Sequence, residues 1–321
     1  MRRRRGACAL PGLAAMLLAV LVLSPAAARA ADIIRVGFVP VSANLPLWCG
    51  MEMGTFTAEA VEIQTSVIGR GSRILEAMVG GSLDMGHVAT LTVIQAAARG
   101  LDVVLVGPAG SVRTGPPSSG ALVVRKSAGI TSVTQLRGKT IAVNQLGSFN
   151  YLVPLEHLAR AGVGRDEVTW QELDFPHMVA ALEQGRVDAA NLTEPYLTML
   201  REAGGATHLA TQEQVLPGAS ISGYAVLRSW YDARRPLMER FHRALTRGIE
   251  ACNRDPQRMR EILARSTKLP VETARRMTLA TFRPLFGDGE IGLLMETARR
   301  HGLIERSWPA ERLVVPTARE R

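Results

Sequence analysis

Short apolar runs alternate with amphipathic stretches along most of the chain. Runs rich in β-branched and aliphatic residues predict strands. The stretches between them repeat apolar residues at helical spacing and end at glycines, which predicts helices. The predicted strands cover residues 33–39, 61–67, 83–87, 102–106, 121–125, 140–143, 187–192 and 222–227. Strands that alternate with helices in this way are typical of an α/β fold.

A ten-residue pattern occurs twice in the chain. Residues 77–86 and residues 181–190 share A-[ML]-x-x-G-x-[LV]-D-x-[GA]. Each copy predicts a helix end, a glycine cap and a strand led by an aspartate, Asp84 or Asp188, whose carboxylate is predicted to tie a turn to the backbone. Each copy also follows a strand whose exit loop carries Ser and Asn. The repeat therefore predicts two lobes that are built alike.

The two lobes are predicted to be joined by a hinge. Residues 110–120 are rich in Gly, Pro and Ser, which predicts a loop. Strand 121–125 is predicted to carry the chain into the second lobe, and strand 222–227 to carry it back. The predicted organisation is a leader at 1–30, lobe one at 31–122, lobe two at 123–222, and a return to lobe one with C-terminal helices at 223–321.

The first thirty residues have the pattern of a cleavable secretory leader. Residues 2–5 are arginines, residues 13–23 are an apolar run, and residues 28–30 read ARA, a small-x-small cleavage site. The apolar run is shorter than the ~20 residues that span a bilayer. The leader predicts export to the periplasm, with an uncleaved membrane anchor as the alternative.

Charge and cysteine content exclude several classes of function. The formal charge of +9 falls to +4 once the five arginines of the leader are removed, and no basic stripe with interleaved aromatic residues follows. Binding to nucleic acid is therefore not expected.

Cys49 and Cys252 remain after the leader, and we expect two unpaired, buried thiols, although an exported protein can form a disulfide. The sequence offers no cluster for a metal and no motif for a catalytic nucleophile or a phosphate loop, so neither a cofactor nor an enzyme is expected.

The stretch at 132–196 carries the pattern L-R-G-K-x-I-A-V…G-S…A-L-x-x-G-x-V-D-A…E-P. In this pattern the chain resembles solute-binding proteins of ABC transporters, in the nitrate/sulfonate/taurine branch that also includes binders of thiamine pyrimidine precursors. The resemblance covers most of the chain after residue 32. It implies an α/β fold of the type II periplasmic binding protein kind, with two lobes that are each a mixed sheet flanked by helices, joined by a two-strand hinge.

The candidate ligand-binding residues lie in loops at predicted strand ends, where open α/β sheets bind ligands. Hydroxyl and amide groups there, together with helix N-termini, can hold a sulfonate or carboxylate without a cationic side chain. Arg70 is included as a cation for an anionic ligand, Phe149 as an aromatic surface, and Glu194 as an acceptor for a donor group. The candidates are Ser42, Asn44, Arg70, Ser72, Thr90, Ser148, Phe149, Asn150 and Glu194.

Several of these residues also have a purely structural interpretation. Ser148 precedes a predicted helix and is a usual N-cap residue. Pro195 sets a turn directly after Glu194. Trp48 is expected to pack in a core and His87 to play a structural role at a strand end.

The resemblance implies an extracytoplasmic substrate-binding component of an ABC importer. It would capture a small organic anion, such as an alkanesulfonate or taurine, between two closing lobes. Its partners would be an inner-membrane permease and the ATPase of that permease, and a monomer is expected. An aromatic carboxylate or a pyrimidine thiamine precursor is the alternative ligand, and a sensor module of the same fold is the alternative role.

Overall fold

A computed structural model of the chain describes residues 30–287 and 289–320. Residues 1–29, which make up nearly all of the predicted leader, lie outside the described residues. In the described part, ten strands form two five-stranded mixed sheets. Lobe 1 and lobe 2 denote the first and the second sheet, each with the helices packed on it.

The strands of lobe 1 are β1 (Asp32–Phe38), β2 (Val61–Val67), β3 (Met85–Ala89), β4 (Val103–Ser111) and β10 (Ser220–Leu227). The strands of lobe 2 are β5 (Gly120–Arg125), β6 (Thr140–Val143), β7 (Thr169–Glu172), β8 (Ala189–Thr193) and β9 (Ala206–Thr211). The helices are α1 (Leu45–Glu52), α2 (Thr55–Ala58), α3 (Gly71–Val79), α4 (Thr90–Ala98), α5 (Phe149–Arg160), α6 (Phe175–Glu183), α7 (Tyr196–Glu202), α8 (Arg228–Ala233), α9 (Arg235–Arg254), α10 (Pro256–Thr267), α11 (Val271–Arg276) and α12 (Glu290–Arg300).

The two sheets have the same topology. The strand order is β2-β1-β3-β10-β4 in lobe 1 and β7-β6-β8-β5-β9 in lobe 2. In each lobe three parallel strands are joined by an antiparallel strand that arrives from the other lobe. The carboxylate of Asp84 accepts the backbone N–H of Arg35 at 2.9 Å, and that of Asp188 accepts the N–H of Thr140 at 2.9 Å. The prediction of two similar lobes, each with an aspartate that ties a turn to the backbone, is confirmed.

The chain crosses between the two sheets twice. The first crossing runs through residues 112–119, directly before β5, and the second through residues 212–219, directly before β10. Both crossings adjoin the same side of each sheet, where β4 and β10 pair in lobe 1 and β5 and β9 pair in lobe 2. Strands β2 and β7 are therefore the strands farthest from the crossings.

The C-terminal helices extend lobe 1. Helix α9 packs on α1 and β4, and α12 packs on α4 and β10. Helix α11 ends at Arg276, because the backbone at Met277 is extended (φ −68°, ψ 144°). Beyond this helix, Thr281 pairs with Ser111 at the end of β4. No helix in the described ranges is both long enough and apolar enough to cross a membrane.

A disulfide joins two helices of lobe 1. Cys49 in α1 and Cys252 in α9 are bonded, with 6.2 Å between their Cα atoms and 203 residues between them in sequence. The expectation of two unpaired thiols is therefore wrong. Helices α1 and α9 approach closely at a glycine pair, since a Cβ on Gly248 would lie 2.7 Å from the backbone of Gly50. That close approach brings the two cysteines within bonding range, which sequence separation alone does not reveal.

The prediction that Trp48 packs in a core is confirmed. It lies beside the disulfide in a buried cluster formed by α1, α9 and α10. Its ring meets that of Phe38 edge to face, with 5.9 Å between the centroids. Aromatic pairs favour this geometry.

Candidate functional site

Strand ends of both lobes border one small cavity of about 70 Å³. From lobe 1 it receives the loop after β1, the end of β3 and the start of β10. From lobe 2 it receives the loop after β6, the end of β8 and the residue that follows β9. The lining residues are Val39, Val41, Ala43, His87, Ala89, Asn144, Ser148, Phe149, Asn150, Phe175, Asn191, Leu192, Thr193, Gln212, Ile221 and Ser222.

A network of amides forms the wall that lobe 2 contributes. Asn150 and Asn191 exchange two hydrogen bonds, because each side-chain amide donates to the other residue's carbonyl oxygen, at 2.9 Å and 2.8 Å. The Oδ1 atom of Asn150 accepts the backbone N–H of Asn144 at 3.1 Å. The Ser148 hydroxyl donates to the carbonyl oxygen of Gln145 at 2.8 Å. These bonds hold the loop after β6 in one conformation against β8.

Helix α5 begins at this wall. Ser148 occupies the N-cap position, but its side chain caps no backbone N–H. The first N–H groups of a helix have no partner within the helix. In the described part of the chain, the N–H groups of Phe149 and Asn150 have no hydrogen-bond acceptor. The positive end of the helix dipole is thus presented to the cavity by residues that line it.

The polar groups of lobe 1 at the cavity are His87 and Ser222. The Nε2 atom of His87 lies 2.9 Å from the hydroxyl of Ser222. Burial lowers the pKa of His87 to about 3, so the imidazole is neutral at physiological pH. The ring also packs on Tyr224, whose hydroxyl accepts the N–H of Leu47 at 3.1 Å. His87 therefore offers a fixed, uncharged polar surface.

No aspartate, glutamate, lysine or arginine is among the residues that line the cavity. Its polar groups are hydroxyls, side-chain amides, one neutral imidazole and backbone N–H groups. Such groups can hold an anion through hydrogen bonds, or an uncharged planar molecule through the same donors and acceptors. The lining residues contain one hydroxyl–imidazole pair, Ser222 with His87, and the low pKa of His87 makes its imidazole a weak base. They contain no group of three or more metal-ligating side chains.

Three of the nine candidate residues line the cavity: Ser148, Phe149 and Asn150. The other six are not among the lining residues. Ser42 and Asn44 flank the lining residue Ala43. Both side-chain amide atoms of Asn44 are buried without a hydrogen-bond partner among the described residues. Ser42 donates its backbone N–H to the carbonyl oxygen of Glu194 at 2.9 Å, a bond between the lobes.

Thr90 and Ser72 lie at the starts of two helices of lobe 1. The Thr90 hydroxyl is 2.7 Å from that of Ser220, which fixes the start of α4 to β10. Ser72 donates its backbone N–H to the Oε1 atom of Gln145 at 3.1 Å. The bond between Ser72 and Gln145 joins the lobes, as the bond between Ser42 and Glu194 does.

Arg70 is engaged with two carboxylates of lobe 2. Its Nη1 atom lies 3.3 Å from Oε2 of Glu172, and its Nε atom lies 3.1 Å from Oδ1 of Asp174. The guanidinium is therefore used in ion pairs between the lobes and does not line the cavity.

Glu194 is a buried carboxyl that does not line the cavity. It accepts hydrogen bonds from the N–H and the hydroxyl of Thr198, at 3.0 Å and 2.8 Å, and from the N–H of Thr278 at 3.2 Å. Burial raises the pKa of Glu194 to about 7, although these hydrogen bonds act in the opposite direction. The residue connects the start of α7 in lobe 2 to the segment after α11.

Several lining residues were not among the candidates. Asn191 and Ser222 lie within predicted strands, and Asn144 and Gln212 lie next to strand ends. Which face of a strand points into a cleft depends on the register with its neighbours. His87 was placed at a strand end but assigned a structural role. Its position at the carboxyl end of a parallel strand was the signal in the sequence that could have marked His87 as a cavity residue.

Comparison with known families assigns the chain. The family model described as NMT1/THI5 like matches residues 43–259, which is more than half of the chain. The chain belongs to the NMT1/THI5-like family. The matched residues contain the whole of lobe 2 and every strand of lobe 1 except β1.

Two curated relatives of this family member are named as binding proteins. A putative aliphatic sulfonates-binding protein of Escherichia coli (strain K12) is 28% identical over 189 residues, which cover 59% of this chain and 58% of that protein. A protein of the same name from Bacillus subtilis (strain 168) is 27% identical over 195 residues, covering 60% of this chain and 57% of that protein. The chain thus matches less than two thirds of the length of these relatives.

Solved structures share the fold. The periplasmic aliphatic sulphonate binding protein SsuA from Escherichia coli has a TM-score of 0.67 and 22% identity, covering 86% of this chain and 94% of that chain. The alkanesulfonate-binding protein SsuA from Xanthomonas axonopodis pv. citri, bound to MOPS, has a TM-score of 0.73 and 23% identity, covering 92% and 100%. The periplasmic nitrate-binding protein NrtA from Synechocystis PCC 6803 has a TM-score of 0.74 and 12% identity, covering 89% and 86%. The chain has the two-lobed fold of periplasmic binding proteins.

Proposed function

We propose that this protein is the extracytoplasmic substrate-binding component of an ABC importer and captures a small organic anion between its two lobes. The observation that carries the proposal is the cavity itself, which is enclosed by strand ends from both lobes and faced by the start of α5. A short alkanesulfonate or taurine is the expected ligand. The names of the curated relatives and of two SsuA structures support this class of ligand.

Neutral donors are sufficient to hold such an anion. The N–H groups of Phe149 and Asn150 lie at the positive end of a 12-residue helix. A sulfonate oxygen that accepts these groups would form charge-assisted hydrogen bonds, which are stronger than neutral ones. No carboxylate lines the cavity, so no negatively charged side chain there repels the ligand.

The size of the cavity favours a compact ligand. Its volume of about 70 Å³ is well below the ~300–1,000 Å³ of pockets that hold drug-sized molecules. The head group of a small sulfonate would occupy the polar part of the cavity. Lobe closure around the ligand would couple binding energy to the closed shape that a permease and its ATPase recognise.

An aromatic carboxylate or a pyrimidine is the second candidate ligand, and one observation favours it. Phe175 lines the cavity and stacks on Tyr196, with 5.2 Å between centroids and 8° between ring planes. Phe149 lines the same cavity. These rings offer apolar faces to a planar ligand.

Export to the periplasm forms part of the proposal. The disulfide between Cys49 and Cys252 supports it, since disulfides persist in oxidising compartments. The positive n-region, apolar run and small-x-small site at 1–30 support it independently.

A panel of ligands measured by thermal unfolding tests the proposal. A compound that binds the native state at 100 times its Kd stabilises that state by about 2.7 kcal/mol and raises Tm by several degrees. The panel contains taurine, short alkanesulfonates, nitrate, an aromatic carboxylate and an aminopyrimidine. We expect the largest rise with a sulfonate. A flat response to every compound would contradict the proposal.

A charge placed in the cavity separates the two candidate ligands. Gln212 lines the cavity and donates to the hydroxyl of Ser119 at 2.8 Å, and that hydroxyl can instead donate to a glutamate. Gln212→Glu therefore adds a negative charge without removing the hydrogen bond. It should weaken binding of an anion by about tenfold or more and affect an uncharged pyrimidine far less. Gln257→Glu, at an exposed position of α10, is the matched control and should leave both affinities unchanged.

A further inference from the structure

Arg70 lies where the lobes meet at the side of the molecule opposite to the chain crossings. It follows β2, the edge strand of lobe 1 that is farthest from the crossings. Its partners Glu172 and Asp174 lie at the end of β7, the corresponding edge strand of lobe 2, and just beyond it. A hinge motion about the crossings moves this side the most. We call the contact of Arg70 with Glu172 and Asp174 the mouth contact.

The mouth contact also reaches the wall of the cavity. Glu172 binds Arg70 through Oε2 and accepts the backbone N–H of Leu146 through Oε1 at 2.5 Å. Leu146 belongs to the loop after β6, between the lining residues Asn144 and Ser148. One carboxylate thus connects the opposite lobe to the loop that shapes the cavity.

The backbone next to Arg70 is adapted to this close approach. A Cβ on Gly69 would lie 2.7 Å from Oδ2 and 2.8 Å from Cγ of Asp174. A side chain at Gly69 would displace the Asp174 carboxylate from its present position beside Arg70. Glycine at this position therefore leaves room for the mouth contact.

From these contacts we infer that Arg70 is a positioning residue that holds the mouth of the cleft closed and thereby slows release of the solute. The inference rests on the proposed function in one respect, namely that a solute is captured by lobe closure. The guanidinium does not meet the ligand. It acts through Glu172 and Asp174, and through Glu172 on the loop at Leu146.

The expected size of the effect follows from the exposure of the charges. The side chains of Arg70, Glu172 and Asp174 are 28%, 33% and 41% exposed. Partly exposed ion pairs are weak and are screened by salt. Two further sets of ion pairs also join lobe 2 to the C-terminal helices, Glu156 with Arg300 and Glu202 with Arg276. Loss of the mouth contact should therefore shift the ratio of closed to open forms by about three- to tenfold, without abolishing closure.

The primary experiment measures the distance between the lobes without any ligand. Spin labels are attached to cysteines introduced on each lobe, Val67→Cys and Thr169→Cys, both at exposed positions. The native cysteines are buried and bonded to each other, so they do not react with the label. At low ionic strength we expect a longer mean distance in Arg70→Gln than in the parent. High salt should lengthen the distance more in the parent than in Arg70→Gln, because the variant keeps only the other ion pairs between the lobes.

Two variants sharpen the result. Gly69→Ala leaves all charges in place and should open the mouth in the same direction as Arg70→Gln. Arg137→Gln removes an ion pair that lies wholly within lobe 2, with Glu167, and is the matched control for loss of an exposed arginine. An equal distance distribution in Arg70→Gln and its parent, or an equal shift in Arg137→Gln, would overturn the inference.

Release kinetics provide the second readout. With a ligand identified by the thermal panel, the dissociation rate should rise about three- to tenfold in Arg70→Gln, while the association rate changes less. Arg70→Lys keeps the charge and should recover part of the effect. If no compound on the panel binds, the proposed function fails while the distance measurement still decides the role of Arg70. An unchanged dissociation rate in Arg70→Gln would count against the inference.

Discussion

The two lobes share one scaffold but contribute different chemistry to the cleft. Their strand orders are equivalent, and Asp84 and Asp188 make the same backbone hydrogen bond in each. At the cavity, however, lobe 2 presents a network of amides and the start of α5, whereas the polar side chains of lobe 1 there are His87 and Ser222. The scaffold thus determines where the strand ends meet, and the side chains at those ends determine what each lobe can bind.

The lobes also differ in how they are reinforced. Lobe 1 is extended by the C-terminal helices and contains the disulfide between α1 and α9. Lobe 2 is formed by the residues between the two crossings and contains no cysteine. Lobe 1 is therefore reinforced by a covalent cross-link and by additional helices, which lobe 2 does not have among the described residues.

The largest expected effect is loss of the disulfide. Cys49→Ala combined with Cys252→Ala removes a cross-link that closes a loop of about two hundred residues, for which the chain-entropy model gives about 5 kcal/mol. Hydrogen exchange should accelerate in β1, α1 and α9 and change little in β6 and β8. The measurement is exchange mass spectrometry of the variant beside the oxidised and reduced parent. If hydrogen exchange accelerated equally in both lobes, the lobes would unfold as one unit, and the proposed difference in their reinforcement would be wrong.

The second prediction concerns Glu194, a carboxyl that connects lobe 2 to the segment after α11. Its pKa is about 7 in the folded protein, whereas a solvent-exposed glutamate, as in the unfolded chain, has a pKa of 4.5. Between these values the folded state retains a proton that the unfolded state has lost, so stability falls as pH rises from about 4.5 to about 7 and is constant above. The change is on the order of 3 kcal/mol.

Glu194→Gln should remove this part of the pH dependence because the amide does not titrate. Chemical unfolding of the parent and the variant at pH 5, 6, 7 and 8 checks it. Glu183→Gln, on the exposed end of α6, is the control. Parallel stability curves for the parent and Glu194→Gln would contradict a raised pKa.

The smallest expected effect compares the equivalent aspartates. Asp84 binds the backbone N–H of Arg35 and also its guanidinium, at 2.9 Å and 2.8 Å, and these bonds lower the pKa of Asp84. Asp188 binds the backbone N–H of Thr140, with Lys139 only at 3.8 Å. Asp84→Asn should cost about 2 kcal/mol and Asp188→Asn about 1 kcal/mol. Urea unfolding at pH 7 measures both, and a larger loss for Asp188→Asn would reverse the comparison.

Much of the fold could be predicted because the lobes repeat a local pattern. The helix end, glycine and aspartate that precede β3 and β8 depend on neighbours in sequence, which periodicity and turn chemistry detect. Strands β7 and β9 were not among the predicted strands. They are edge strands with largely exposed or half-buried residues, TWQE and ATHLAT, so no apolar run marks them.

The candidate site was predicted in part for the same reason. Ser148, Phe149 and Asn150 follow a buried strand and begin a helix, a local signal that the sequence contains. Arg70 was proposed as a ligand contact because a cation beside a glycine loop suits an anion. Its actual partners, Glu172 and Asp174, are more than a hundred residues away in sequence, in the other lobe.

The sequence by itself determined the class of fold, the duplication of the lobes and the position of the cleft at the strand ends, since all three depend on short-range periodicity and on turns. Only the tertiary structure decided that Cys49 and Cys252 are bonded, that Glu194 is a buried carboxyl and that Arg70 is held across the mouth of the cleft. The physical reason is that bonding, burial and ion pairing depend on distances in space between residues far apart along the chain, and local sequence patterns do not encode those distances.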